Sequence, residues 1–398
     1  MKISIANKIN AYLNTFFWLF LTYLSAPYFY LRIYLRTLRR GSEQSRNAPL
    51  KILVIQIGKI GDLVSTTSVF REIKRKFPSS HLTVIILSKT EGIIKNNPRV
   101  DEIIFITDYI GISGKLRLLN KLRKEKYDWA INFLPDSFGD IISFWSFIPR
   151  RITTTYRYLG EIIKLLSVFN NYRLEYKRHT PLTKHYLSLL KFMGIKDPSE
   201  EKELFIGPGE EAKALDFLNE RNLSADNLLI GIGVAAGVKL KEWALDKFAA
   251  LADRLIKEKN AKIIFIGSAD DRVLVEQVQK MMQNNSISAC GLFGLSDVSA
   301  LLKKLKLFIS VDTGPLYMAD AVGVPVVDIA GPANFNELYS LGKRSKIIQK
   351  KIYCVPCSHM FYAPRVCKEG HLRCLKEITT EDVFNAAITL IDENTNNL

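Results

Sequence analysis

The stretch KILVIQIGKIGDLVSTTSVFREIKRKFPSSHLTVI, residues 51–85, decides the fold. Lys51–Ile57 is an apolar, β-branched run that stops at Gly58, a helical pattern follows over Leu63–Phe77, and Leu82–Leu87 is a second β-rich run. Two such runs with a helix between them pair in parallel, because a parallel pair needs a crossover connection. The alternation continues outward. Ile103–Ile106 and Trp129–Phe133 read as further strands. After Pro208 the pattern restarts, with strands at Leu228–Val234, Ala261–Ile266, Leu307–Val311 and Val326–Ile329. Helices are expected between them at Leu245–Lys257, Arg272–Gln283, Val298–Lys304 and Tyr317–Val322. Two α/β units joined near residues 200–208 predict two doubly wound domains facing a cleft.

In open parallel sheets, ligands bind beyond the carboxyl ends of the strands. Three such ends carry chemistry-bearing residues. The first is Gly58-Lys59-Ile60-Gly61-Asp62, leading into a helix whose early residues include Thr66. Its glycines allow close backbone approach to a ligand. Asp62 serves there either as a helix cap or as a general base projecting into the cleft. The loop lacks the Gly-Lys-Ser/Thr ending of a Walker loop and the full dinucleotide fingerprint. The second end is Asp312-Thr313-Gly314-Pro315, where the amides of Thr313 and Gly314 and the Thr313 hydroxyl would form an anion cradle for a diphosphate. A capping turn is the alternative reading. The third is Val234-Ala235-Ala236-Gly237, followed by Lys239 and Lys241, where a lysine beside a strand-end glycine can neutralise phosphate.

The chain has 398 residues, 47% hydrophobic and 24% charged, which excludes a disordered chain, a collagen-like fibre and a small disulfide scaffold. Its formal charge of +16 divides as +6 over residues 1–50, +11 over 51–200 and −1 over 201–398. Such an excess suits nucleic acid, an anionic membrane or an anionic acceptor. No nucleic-acid-binding module is recognisable, so nucleic acid is not expected as a partner. Residues 11–31 carry no charged side chain and are rich in aromatics, among them Tyr12, Phe16, Phe17, Trp18, Phe20, Tyr23, Tyr28, Phe29 and Tyr30. Arg32, Arg36, Arg39 and Arg40 follow. Aromatic residues beside a basic cluster predict membrane association, interfacial or spanning, with the downstream chain in the cytoplasm. A cleaved signal peptide with Lys2 and Lys8 in its first region, or a buried helix of the soluble core, are the competing readings. Gly41 to Pro49 reads as a short linker.

In order along the chain, the opening stretch, NNPRVDEIIF (96–105), YDWAINF (127–133), GIGVAAGVKLKEWALDKFAAL (231–251), IIFIGSADDRVL (263–274) and LFISVDTGPLYMADAVGVPVVDIAGPANF (307–335) resemble glycosyltransferase family 9, the ADP-heptose:lipopolysaccharide heptosyltransferases. The resemblance implies a GT-B fold. On it the acceptor-binding domain is 49–205 and the nucleotide-sugar-binding domain 206–398, and the aromatic-rich membrane-associating segment and linker (1–48) in front of them is not a standard family feature. For the activity, the resemblance is equally specific. It implies inverting transfer of a heptose from ADP-heptose to a lipid-linked lipopolysaccharide core acceptor, with no required metal, at the cytoplasmic face of the inner membrane. By the same resemblance Asp62 is the general base, supported by Gly58, Gly61 and Thr66. Lys241 pairs with the donor phosphates, Asp312, Thr313 and Gly314 bind sugar and diphosphate, and Asp271 lies near the nucleoside. Members of the family usually have His at the position of Tyr317 and often Pro at that of Ser68. Tyr317 therefore raises the alternative of a related transferase using another nucleotide sugar, and a catalytically silent nucleotide-sugar-binding membrane protein is the alternative of a different class.

Cys354, Cys357, Cys367 and Cys374 form a C-x2-C-x9-C-x6-C cluster with His359 and His371 interspersed, and similar Cys-rich segments recur in the family. Four thiolates, or three with a histidine, would suit a structural zinc ion, and reduced cysteines beneath a loop are the alternative.

Overall fold

The computed structural model describes residues 5–40, 49–158, 160–338, 341–361 and 363–395. Lys2, the linker residues 41–48 and the side chains of Lys8, Tyr12, Arg39 and Arg40 lie outside what is described. The strands are β1 (Lys51–Ile55), β2 (His81–Ile86), β3 (Glu102–Phe105), β4 (Trp129–Asn132), β5 (Arg150–Thr155), β6 (Tyr172–Glu175), β7 (Leu229–Gly233), β8 (Lys262–Phe265), β9 (Ile287–Ser288), β10 (Leu307–Val311), β11 (Val326–Ile329) and β12 (Ser345–Ile348). The helices are α1 (Ile5–Arg40), α2 (Ile60–Lys76), α3 (Gly111–Glu125), α4 (Ser137–Trp145), α5 (Glu161–Ser167), α6 (Leu182–Ser188), α7 (Pro208–Asn219), α8 (Leu245–Lys259), α9 (Arg272–Met281), α10 (Val298–Lys303), α11 (Gly314–Ala321), α12 (Arg373–Lys376) and α13 (Thr380–Thr395).

Both sheets are parallel and share one topology. The first runs β3-β2-β1-β4-β5-β6 and the second β12-β11-β10-β7-β8-β9. In each, the strand order reverses beside the first strand, between β1 and β4 and between β7 and β10. The strands that flank a reversal send their connections to opposite faces and leave a crevice at their carboxyl ends. Ile52, Val54, Ile230 and Ile232 are fully buried because helices cover both faces of each sheet. One apolar cluster runs through both halves and joins Leu63 and Val64 of α2 to Leu316 and Met318 of α11.

The first sheet contains two strands that hydrophobic periodicity does not signal. β5 is RRITTT, yet Arg151 is 1% exposed. Its Nε donates to the Phe169 carbonyl at 2.9 Å and its Nη1 to the Ile148 carbonyl, so backbone oxygens replace the water lost on burial. Beyond β4 lies a buried polar group. Asp140 accepts from Asn170 Nδ2 at 2.9 Å and from Asn132 Nδ2 at 3.3 Å. Burial, with a smaller push from Asp136, raises the Asp140 carboxyl to about 7. A carboxyl raised on folding stabilises the native state at low pH. That contribution is lost as pH climbs from the ordinary value of 3.8 to about 7. Asp140→Asn is therefore expected to gain stability relative to wild type as pH rises, at up to ~1.4 kcal/mol per unit. Thermal melts of the two proteins from about pH 5 to about pH 9 check this, and parallel curves would contradict it.

The N-terminal helix is not a fully buried core helix, since Phe17, Phe20 and Leu24 are exposed. Among the described residues no helix is long and apolar enough to cross a membrane. α1 lays one face on α4 and α5. Leu19, Ala26, Phe29 and Ile33 pack with Phe144, Leu166 and Phe169. Trp145 Nε1 donates to Thr22 Oγ1 at 2.9 Å, and the Arg36 guanidinium donates to the carbonyls of Phe147 and Tyr127 at 2.9 and 2.6 Å. Phe17, Phe20, Leu24, Tyr28, Leu31, Leu35 and Leu38 form a second, exposed apolar stripe at helical spacing.

Candidate functional site

Asp62 occupies the third helical position of α2 and is 7% exposed. Its Oδ2 accepts the Lys59 backbone N–H at 2.7 Å. Its Oδ1 accepts the Tyr186 hydroxyl at 3.0 Å. One oxygen thus caps the helix and the other faces α6. Burial holds the Tyr186 phenol well above its ordinary range, so it stays protonated and donates. Thr66 lies one turn on, accepts from Gln56 Nε2 at 2.8 Å and donates to the Asp62 carbonyl at 2.7 Å. It braces the turn from within the core. Gly61 is buried in the first turn of α2.

Gly58 has a geometric reason to be glycine. A Cβ there would lie 2.7 Å from the Cβ, Cγ and Oδ2 of Asp62. Gly58→Ala is expected to displace the carboxylate, costing ~1–3 kcal/mol of stability in overpacking and most of the activity that depends on Asp62. Melting temperature and turnover measured together check this, and an unchanged pair of values would show that the loop has room.

On the other side of the cleft, Lys241 ends a short turn after β7, and Asp312 follows β10, the neighbouring strand. The strand reversal therefore brings them together although 71 positions separate them. Lys241 Nζ is ion-paired with Asp312 Oδ2, and Tyr317 OH donates to Asp312 Oδ1 at 2.6 Å. Asp312 is 7% exposed and Tyr317 2%. Thr313 is the N-cap of α11, but its side chain makes no capping bond, and Pro315 sits in the first turn. The amides at the start of α11 face the crevice end of β10. Gly314 marks where the two halves meet, because a Cβ there would lie 2.8 Å from Ile60 Cβ of α2. The amino ends of α2 and α11 thus abut across the cleft, one carrying Asp62 and the other the Lys241–Asp312–Tyr317 group.

Asp271 lies apart from that group. Its Oδ2 accepts from the Ser268 amide at 2.7 Å and the Ser268 hydroxyl at 2.8 Å, and a Cβ on Gly267 would approach it to 2.9 Å. It shapes the loop after β8. Asp328, by contrast, was not among the candidate residues. It sits on β11 in register with Ser310 of β10 and is 1% exposed. Burial, then the charge of Asp312, pushes its carboxyl far up, so it stays protonated beneath the Lys241–Asp312 pair. An acidic residue inside the apolar run VVDIA was the signal for it.

Among the described residues no group of three His, Cys, Asp or Glu side chains is placed to hold a metal ion, and all five cysteines are free thiols. Burial, reinforced by the neighbouring cysteines, raises the Cys374 thiol to about 11, which favours the neutral form. Cys374 packs in the core of the second half.

The profile of glycosyltransferase family 9 (heptosyltransferase) matches residues 115–363. Lipopolysaccharide heptosyltransferase 2 of Escherichia coli is 25% identical over 318 residues, covering 75% of this chain and 88% of that protein. A glycosyl transferase family 9 structure from Veillonella parvula superposes with a TM-score of 0.74 at 24% identity, over 86% of this chain and 98% of the other. ADP-heptose lps heptosyltransferase II of Escherichia coli gives a TM-score of 0.70 at 19% identity, over 87% of this chain and all of the other. Two doubly wound domains, a cleft lined from both, and a family match over more than half the chain agree: the protein is a glycosyltransferase and belongs to family 9, the heptosyltransferase family.

Proposed function

We propose that the chain transfers a heptose from ADP-heptose to a hydroxyl of a lipid-linked lipopolysaccharide core saccharide, with inversion at the anomeric carbon. The observation that carries this is the meeting of α2 and α11, which sets a buried carboxylate opposite a lysine and a set of helix-end amides. Asp62 takes the proton from the acceptor hydroxyl, whose oxygen bonds to the anomeric carbon. The bond from that carbon to the β-phosphate oxygen breaks, and ADP leaves with the electron pair. Negative charge grows on the departing diphosphate, and Lys241 with the α11 amides stabilises it there. Lys241 shifts from Asp312 to the diphosphate when donor binds. Asp312 keeps its bond from Tyr317 and turns toward the sugar, and the loop held by Asp271 borders the nucleoside.

The acceptor enters from the first half, whose residues 51–200 carry a formal charge of +11. α1 lies in the membrane interface at the cytoplasmic leaflet with its exposed aromatic stripe inserted, which brings a lipid-linked acceptor to the cleft. The domains divide as residues 49–205 for acceptor and 206–398 for donor.

A donor panel tests the reaction. Purified protein is offered ADP-heptose, other ADP-sugars and UDP- and GDP-sugars on heptose-deficient lipopolysaccharide core, with products read by mass spectrometry. A mass gain of one heptose from ADP-heptose alone is expected. Transfer of another sugar would reassign the donor, and donor binding without product would make the protein a silent binder.

A further inference from the structure

A cavity of about 1060 Å³ opens between α1 and the carboxyl end of α3, far from the catalytic crevice. Lys51 begins β1 and Lys126 precedes β4, so the cavity lies at the amino edge of the sheet, whereas Asp62 lies beyond the carboxyl edge. Among the described residues six cations line it, Arg32, Arg36, Lys51, Arg123, Lys124 and Lys126. The one carboxylate among the described residues of its wall, Glu125, is held by Lys51 at 2.7 Å. Arg32 and Arg123 both lie over the Phe147 ring, at 5.7 and 4.6 Å, and Arg123 Nε donates to the Trp145 carbonyl at 2.9 Å. Like charges are thus gathered around one aromatic ring, an arrangement that a bound anion relieves. The wall also holds a buried hydroxyl, Ser146 Oγ, that has no hydrogen-bond partner among the described residues. An oxyanion would balance the charges of Arg32 and Arg123 that share the Phe147 ring and would offer an acceptor to the serine.

The rim shows what delivers the anion. Tyr28 and Leu35, exposed by 56% and 41%, line the same cavity and belong to the apolar stripe of α1. A phosphate reaching this site therefore has apolar surface beside it, which a soluble anion does not use and a lipid does. We propose that the cavity binds the phosphate headgroup of an anionic phospholipid while the α1 stripe enters the acyl boundary. This deepens the interfacial reading of α1 and rests on it.

The test uses the full chain, vesicles of phosphatidylcholine with or without phosphatidylglycerol, and monomeric short-chain phosphatidylglycerol as a soluble probe. Wild type is expected to prefer the anionic vesicles and to be stabilised thermally by the short-chain lipid. Arg32→Gln/Lys124→Gln removes two cavity charges from partly or fully exposed positions. At about fivefold per charge near an anionic surface, it should weaken anionic-vesicle binding about twenty- to thirtyfold and abolish stabilisation by the short-chain probe. Binding to phosphatidylcholine vesicles and transfer to a soluble acceptor should be unchanged. Phe20→Ser/Leu24→Ser on the stripe should weaken binding to both vesicle types. Loss in the stripe variant with an undiminished anionic preference in the cavity variant would overturn the headgroup site and leave the interfacial helix standing. Failure of wild type to bind any vesicle would overturn both. Equal stabilisation by inorganic phosphate alone would assign the cavity to a soluble anion and overturn the lipid assignment.

Discussion

Asp62→Asn is expected to lower kcat/KM by about two to four orders of magnitude, the range of a lost general base. The substitution keeps the volume of the side chain but removes the group that takes the acceptor proton. It also has a structural signature. The carboxylate accepts from two donors, the Lys59 amide and the Tyr186 hydroxyl, one on each oxygen. An asparagine has one oxygen, so one donor must face an NH2 group, at a cost of ~1–3 kcal/mol. Donor binding depends on the opposite half of the cleft and should survive. The measurement is therefore threefold: single-turnover transfer by mass spectrometry, melting temperature, and ADP affinity by calorimetry. Slow transfer with near-normal ADP affinity supports the base. Transfer at the wild-type rate would leave Asp62 as a helix cap only. Tyr186→Phe separates the roles further, because it removes one donor and leaves the carboxylate, so a loss of about tenfold or less is expected.

The second large effect is at Lys241. Lys241→Met should cost about two to three orders of magnitude in kcat, as for other lost stabilisers of developing negative charge. It should also destabilise the fold by ~3–5 kcal/mol, because Asp312 is left buried without its counter-charge. Asp312 is 7% exposed, and the neighbouring Asp328 carboxyl is already kept protonated by its burial and by the Asp312 charge. A companion variant separates stability from chemistry. In Lys241→Met/Asp312→Asn both charges are gone, the Tyr317 hydroxyl retains an acceptor, and stability should return. Activity should not. Recovery of both would mean that the lysine serves only to neutralise Asp312.

Much of this fold is written locally. The strands at the centre of each sheet are runs such as KILVI and LFISV, buried on both faces, so their composition identifies them without knowledge of neighbours. The edge and near-edge strands are different. β5 carries two arginines, and β6 alternates between half-buried and exposed positions. Arg151 is tolerated inside only because the carbonyls of Ile148 and Phe169 converge on it, and those carbonyls come from turns that periodicity does not describe. The opening segment shows the same limit. Its aromatic content signalled an apolar helix, but only the contacts of Leu19, Phe29 and Ile33 with Phe144 and Phe169 reveal that one of its apolar faces belongs to the protein.

For the site, the candidate groups are legible in short local stretches. Strand-end turns with glycine, a carboxylate in a first helical turn and a lysine after a strand are local patterns, and local backbone chemistry dictates them. Tertiary structure decided which of them act together. Lys241 and Asp312 pair because β7 and β10 are neighbours at the strand reversal. Asp271 turns back on Ser268 instead. Asp62 meets Tyr186 from 124 positions away, and α11 reaches α2 only because position 314 has no side chain. The physical reason is that secondary structure follows from near-neighbour periodicity, whereas the partner of a buried charge is set by which segments the packed sheets bring within a few ångströms.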